Sequence, residues 1–137
     1  MTVMSTPREI SLSEGLLLRS LTAQGRRPNM LVVCSDADVQ TAFERVRDLW
    51  GPPLSVCMLP GPLDLPASGQ GTLLLHDIAA LTLPQQLTLY DWISRRGSDV
   101  QVVSMTGSQI LPLVETGRFL EGLFYRLNTI STVARSA

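Results

Sequence analysis

The sequence predicts a single α/β domain built on a parallel five-stranded sheet. Short, continuous apolar runs alternate along the chain with segments whose apolar residues recur at helical spacing. Such continuous runs are typical of strands that are buried on both faces, as in parallel sheets. The length of 137 residues and the 45% hydrophobic content suit one domain with one core. The alternation implies right-handed crossovers and helices on both faces of the sheet.

The chain is divided into a flexible leader, residues 1–10, and a core, residues 11–137. Ser11 and Glu14 have the spacing of a capping box and predict the start of a helix that ends near Gly25. No internal repeat and no second domain are indicated.

The first strand is predicted at Met30–Cys34, an uninterrupted apolar run between turn residues. Ser35 and Asp38 form a second capping box. The apolar residues behind it recur at helical spacing as far as Trp50, so a second helix is expected there.

The remaining elements follow from the same two patterns. Strands are predicted at residues 54–59, 72–75, 100–105 and 128–133. Helices are predicted from Pro84 to the residues before Gly97, at 109–115 and at 119–127. Residues 60–71, which are rich in proline and glycine, are interpreted as a loop.

Composition excludes several classes of function. All eleven basic residues are arginine and twelve residues are acidic, which gives a net charge of −1 and no electrostatic attraction for nucleic acid. No apolar run approaches the roughly 20 residues of a membrane span, and no signal segment is present, so a cytoplasmic protein is expected. Cys34, Cys57 and a single histidine do not suit a metal site, and both thiols are interpreted as packed and reduced.

Four segments of the second half of the chain form an ordered series: Gly71-Thr-Leu-Leu-Leu-His-Asp-Ile78, Leu83-Pro84 with Gln86 and Leu89, Val102-Val-Ser-Met-Thr106, and Gly117-Arg-Phe-Leu-Glu-Gly-Leu-Phe-Tyr-Arg-Leu-Asn128. Together they resemble the AAA+ domain of sigma-54-dependent transcriptional activators. The resemblance implies a three-layer P-loop-NTPase-like (AAA+) domain. It also implies a truncated core, because the helical lid and the DNA-binding tail of that family have no counterpart here.

The resemblance places the phosphate-binding turn of the family at residues 34–38. That turn has no glycine here, and the whole chain has no lysine, although a P-loop needs both. Asp36 and Asp38 stand at the predicted helix N-terminus, where they would repel a triphosphate. No nucleotide or other cofactor is therefore expected. If a nucleotide did bind, its contacts would be Ser35, Asp77 and Thr106.

Other positions of the family also differ. His76 and Asp77 replace the Asp-Glu pair that holds magnesium and polarises water, and histidine is a poor magnesium ligand. The sensor asparagine corresponds to Gly107, with Thr106 retained. Of two arginines that the family presents to a neighbouring subunit, the first corresponds to Leu120 and the second to Arg126; Arg118 is not one of them. His76, Asp77 and Arg126 are thus interpreted as vestigial, with no catalytic residue and no metal site, and Arg126 as a surface residue in a salt bridge.

The resulting hypothesis is a catalytically inactive AAA+-like domain that acts as a protein-interaction or regulatory module, in the context of sigma-54-type transcription. Its partner is expected to be an AAA+ activator or a second copy of itself, with no nucleic acid and no membrane. The Gly-Ala-Phe-Thr-Gly-Ala loop through which the family contacts its sigma factor has no counterpart in residues 60–71. The alternative is a weak ATP-binding protein or residual ATPase. Another α/β enzyme would need a motif such as Gly-x-Ser-x-Gly, and a receiver-like domain would need a lysine.

Overall fold

A computed structural model gives the fold, and it describes most of the chain with gaps. The described residues are 8–10, 28–34, 40, 43–44, 47–48, 53–67, 71–96 and 100–134. The helix predicted from Ser11 to Gly25 and both predicted capping boxes lie outside them.

A parallel sheet of six strands forms the centre of the domain. The strands are β1 (Arg8–Ile10), β2 (Met30–Cys34), β3 (Leu54–Met58), β4 (Gly71–His76), β5 (Val100–Thr106) and β6 (Ile130–Ala134). Their order across the sheet is β1-β6-β2-β5-β4-β3, and every neighbouring pair is parallel. β2 and β5 are buried along their whole lengths, as their continuous apolar sequences predict.

The five predicted strands are all present, and their centres are confirmed. β2 has the predicted bounds, while the other four differ by one or two residues at an end. The sixth strand, β1, was not predicted, so a leader that extends to residue 10 is wrong for Arg8–Ile10. These residues pair with Thr132, Val133 and Ala134 of β6. A run of three residues that includes an arginine and a glutamate has no sequence pattern typical of a strand. These residues form a strand because they pair with β6.

Three helices lie between the later strands: α1 (Leu83–Arg96), α2 (Leu111–Glu115) and α3 (Glu121–Leu127). α2 and α3 each begin two residues later than predicted. The difference at α3 arises because Leu120 is extended, with φ −68° and ψ 126°. A single turn of 3₁₀ helix, Ile78–Ala80, follows β4. None of the helices in the described part of the chain is long and apolar enough to cross a membrane.

The sheet separates two apolar clusters. The larger packs the three helices against one face of the sheet through side chains such as Leu89, Trp92 and Leu123. The smaller lies on the other face and includes Phe43, which belongs to a helical segment seen at residues 40, 43–44 and 47. Helical residues therefore cover both faces, as the α/β prediction requires.

Glycine is needed where β4 begins. Gly71 has φ +104°, and a Cβ atom at this position would lie 2.4 Å from the Pro53 carbonyl oxygen. That carbonyl accepts a hydrogen bond from the Thr72 amide at 3.1 Å, so β3 and β4 approach closely at this point.

Candidate functional site

The carboxyl ends of the strands meet at one edge of the sheet because all strands are parallel. β5 lies between β2 and β4, so Cys34, Thr106 and His76 end three adjacent strands there. The chain leaves β2 toward the β3 edge and later crosses from β5 to β6 on the opposite side of β2. Ligands of open parallel sheets bind outside such a reversal of strand order. We call Cys34, His76, Asp77 and Thr106 the carboxyl corner.

His76 at the end of β4 is packed against the opposite layer. Its ring meets the ring of Phe43 edge to face, with centroids 5.2 Å apart and an interplanar angle of 89°. The Arg47 guanidinium lies over the same Phe43 ring, 5.7 Å from its centroid. The His76 Nδ1 atom is buried and has no hydrogen-bond partner among the described residues. The imidazole therefore serves as a packed ring with one polar atom unsatisfied.

Asp77 adopts a left-handed backbone conformation, with φ 63° and ψ 66°. It is the only non-glycine residue in the described part of the chain with a positive φ. Its carbonyl accepts a hydrogen bond from the Ala80 amide at 3.0 Å, which starts the 3₁₀ turn. Aspartate tolerates this conformation better than most residues, although it costs roughly 1 kcal/mol. The residue type alone does not indicate this conformation.

Thr106 ends β5 with its hydroxyl engaged in its own turn. The hydroxyl donates to the Ser108 carbonyl at 2.8 Å and accepts from the Ser108 amide at 3.2 Å. The side chain is completely buried. A hydroxyl that both donates and accepts within its own loop has little capacity left for a ligand.

Only the first residue of the turn at residues 34–38, where the family binds phosphate, is described by the structure. Ser35, Asp36 and Asp38 lie outside the described residues. Cys34 is buried, and burial raises the pKa of its thiol to about 11. Within the described ranges, no three His, Cys, Asp or Glu side chains come close enough together to hold a metal ion.

Arg126 lies far from this corner in the last turn of α3. Its guanidinium stacks over the Tyr90 ring at 5.3 Å, and within the described part of the chain it has no carboxylate in ion-pair contact. The predicted salt bridge is therefore replaced by a cation–π contact. The Arg126 carbonyl accepts a hydrogen bond from Asn29 Nδ2 at 2.8 Å, and Asn29 Oδ1 accepts from the Val102 amide at 2.9 Å. Both the backbone and the side chain of Arg126 are thus held.

A buried glutamine joins α1 to the segment before α3. Gln86 Nε2 donates to the Leu81 carbonyl at 3.2 Å and to the Arg118 carbonyl at 3.0 Å, and Gln86 Oε1 accepts from the Leu120 amide at 2.8 Å. We call this group the α1–α3 joint. The Leu120 amide donates to Gln86, so the joint holds the extended residue that precedes α3. Sequence reasoning did not identify this role because a glutamine in a helix is ordinarily exposed.

The turn between α2 and α3 has a defined geometry. The Gly117 amide donates to the Val114 carbonyl at 3.1 Å and the Arg118 amide donates to the Leu113 carbonyl at 2.8 Å. This is a Schellman motif, and Gly117 has the positive φ (+79°) that the motif requires. The turn delivers Arg118 to the α1–α3 joint.

The loop between β3 and β4 is attached to α1. Gln85 Nε2 donates to the Gly61 carbonyl at 2.8 Å and Trp92 Nε1 donates to the Pro66 carbonyl at 3.2 Å. Gln85 also completes a capping box with Thr82 at the start of α1. The Thr-x-x-Gln spacing of these residues in the sequence could have revealed that box.

Solved structures show the class to which this fold belongs. NtrX from Brucella abortus in complex with ADP superimposes with a TM-score of 0.64 and 16% identity, over 94% of this chain and 37% of that chain. The structure of the same protein with ATP gives a TM-score of 0.59 and 15% identity, over 90% and 35%. This chain thus spans about a third of the length of those structures. The fold is that of a P-loop-NTPase-like AAA+ domain.

The family follows from the sequence match. Residues 58–133, more than half of the chain, match the family described as Sigma-54 interaction domain. The chain belongs to this family, as its resemblance to sigma-54-dependent activators predicts. A comparison with curated protein sequences gave no match.

Proposed function

We propose that this chain is a nucleotide-independent protein-interaction domain that acts in sigma-54-type transcription regulation. The observation that carries the proposal is that two side chains of the carboxyl corner are already engaged within the domain. The Thr106 hydroxyl is used within its own turn, and the His76 ring is packed against Phe43. In addition, the sequence has no lysine, which is the residue that contacts the phosphates in a P-loop.

The surface supports association with another protein. Four of the six large apolar side chains that are exposed among the described residues lie on the helices: Leu83, Leu87, Leu111 and Tyr125. Apolar residues concentrated on one layer are typical of protein contacts. The partner that we propose is the AAA+ domain of a sigma-54-dependent activator.

The first test measures nucleotide binding. A ligand at 100 times its Kd stabilises a protein by about 2.7 kcal/mol, which raises the Tm by several degrees. We expect no change in Tm with millimolar ATP and magnesium, and NtrX, which has been crystallised with ATP, is the positive control. A reproducible rise would instead favour a weak ATP-binding protein that uses Ser35, Asp77 and Thr106.

The second test measures association by titrating a purified activator AAA+ domain against the labelled chain, with and without ATP. We expect this chain to bind the activator domain both in the presence and in the absence of ATP. Leu87→Asp should weaken the complex, while Val56→Asp, a matched change on β3 at the edge of the sheet, should not. If the wild-type chain failed to bind any activator domain tested, the proposed function would be wrong.

A further inference from the structure

One face of the sheet carries a row of soft donor groups near the carboxyl ends of three neighbouring strands. Met58 and His76 are register partners on β3 and β4. Leu75 pairs with Ser104, so the next residues along these two strands, His76 and Met105, are also level with each other. Adjacent strands lie about 4.8 Å apart, and the imidazole therefore has a thioether-bearing residue on each side. We call Met58, His76 and Met105 the Met–His–Met row.

The three side chains of the row lie on the same face of the sheet. Cys57, the residue before Met58, belongs to the cluster that holds the three helices, so Met58 faces the opposite way. His76 contacts Phe43, and both Phe43 and Met105 belong to the smaller cluster on that opposite face. The members of the row are far apart in the sequence, so only the register of the sheet brings them together.

The imidazole in the middle of the row has an unused ring nitrogen. His76 Nδ1 is buried and has no hydrogen-bond partner among the described residues, whereas most buried polar atoms in proteins are paired. Two other buried side-chain atoms in the described part of the chain share this state, and both are oxygens. The nitrogen is thus the one atom of this group that suits a soft metal ion, because a neutral imidazole can ligate through either ring nitrogen.

One end of the row is open to solvent. β3 is the edge strand of the sheet, and Met58 is 45% exposed although methionine is usually buried. Met105, at the inner end, is completely buried. A methionine side chain has three rotatable bonds, so the exposed thioether can adjust its position as an ion arrives. The row therefore combines an entry path with a closed inner end.

The donor set selects the kind of ion. Thioethers favour Cu(I), and imidazole also suits copper, whereas zinc sites in proteins use cysteine, histidine and carboxylate. All three donors are neutral, so a monovalent ion is less costly to bury here than a divalent one. The row contains only one histidine, and it is thus distinct from the groups of three His, Cys, Asp or Glu residues that the described ranges lack.

We propose that the Met–His–Met row binds one Cu(I) ion through the thioethers of Met58 and Met105 and the Nδ1 atom of His76. Binding stabilises the folded chain, because the register that assembles the three donors does not exist in the unfolded chain. This site goes beyond the proposed interaction with an activator and does not depend on it.

The first experiment is a competition for Cu(I) under anaerobic conditions. Both thiols also bind Cu(I), so the full chain with Cys34→Ala and Cys57→Ala is the parent. We expect it to take one equivalent of Cu(I) from the chelator bicinchoninate. Met58→Leu and His76→Phe should each weaken binding by at least ~10-fold, the loss that even an outer-shell change can cause. Met30→Leu, the same exchange on the same face but outside the row, should bind like the parent.

The second experiment uses the wild-type chain, in which His76 is the only histidine and gives an unambiguous NMR signal. Ag(I), a soft monovalent ion, replaces Cu(I) while the imidazole nitrogen resonances are recorded. We expect these resonances to shift in the wild type, and to shift less in Met58→Leu at the same silver concentration. Failure to take Cu(I) from the chelator, unchanged imidazole resonances, or equal binding by Met58→Leu would overturn the proposal. None of these results bears on the activator titration.

Discussion

The α1–α3 joint and the carboxyl corner both contain a polar side chain in apolar surroundings, but they differ in how far its hydrogen-bonding groups are satisfied. At the joint, the amide of Gln86 makes three hydrogen bonds. At the corner, His76 Nδ1 is buried without a partner in the described part of the chain, and Asp77 adopts a left-handed conformation. The comparison indicates that the polar groups of the joint maintain the fold, whereas those of the corner add little to its stability.

The largest expected effect tests the joint. Gln86→Leu would leave the Leu120 amide and the carbonyls of Leu81 and Arg118 without their partner, at a cost of about 2–4 kcal/mol in the free energy of unfolding. Urea unfolding measures the loss. Thr88→Leu, two residues further along α1 at an exposed position on the other side of the helix, is the control and should change stability by less than ~0.5 kcal/mol. A Gln86→Leu protein as stable as the control would remove the contrast between the two regions.

A smaller effect is expected from the backbone of the corner. Asp77→Val places a β-branched residue at φ 63° and should cost about 1–2 kcal/mol. Asp77→Gly accepts this conformation freely and should stay within ~0.5 kcal/mol of the wild type. The pair separates backbone conformation from the carboxylate, since both variants lack the charge. Equal losses for both would mean that the carboxylate itself stabilises the corner.

Replacing His76 by an apolar residue should change the free energy of unfolding in the opposite direction to replacing Gln86. His76→Phe removes a buried nitrogen without a partner and keeps a ring beside Phe43. We expect the free energy of unfolding to rise by roughly 0–1 kcal/mol. Thermal unfolding with His76→Ala as the truncated control checks this, because loss of the ring should destabilise. Destabilisation by phenylalanine as large as that by alanine would show that the imidazole nitrogens have a partner.

The smallest effect concerns access to the corner. Cys34 is buried, and its pKa of about 11 lies above the ordinary value of 9.0, so the neutral thiol is favoured in the folded state. Its contribution to stability is complete below pH 9.0 and is lost as the pH rises toward 11. At pH 8, modification of Cys34 by a disulfide reagent should be about 10²-fold slower than in the unfolded chain. Measurement on Cys57→Ala isolates this thiol, and rapid reaction would mean that the corner is open to solvent.

The strands could be predicted from sequence because burial on both faces requires continuous apolar runs, and Met30–Cys34 is such a run with its bounds correct. Features that depend on distant partners could not be predicted. β1 is a strand only because β6 lies beside it, and Gln86 is buried only because the turn after α2 brings Arg118 and Leu120 to it. Neither dependence has a periodic pattern in the sequence.

The candidate site was predicted in part. The alignment of His76, Asp77 and Thr106 at one edge follows from the parallel strands that carry them. The conformation of Asp77 and the internal hydrogen bonds of Thr106 depend on single turns, which residue types do not specify. Arg126 was expected in a salt bridge, but Tyr90, 36 positions earlier in the chain, provides its contact.

The attachment of the β3–β4 loop to α1 has a practical consequence for spectroscopy. The indole N–H of Trp92 donates a hydrogen bond to the Pro66 carbonyl, and Gln85 joins the same loop to the first turn of α1. If this loop detached while the strands stayed paired, the indole of Trp92 would become exposed to solvent. Emission from Trp92 therefore offers an optical signal of local detachment that is distinct from melting of the sheet.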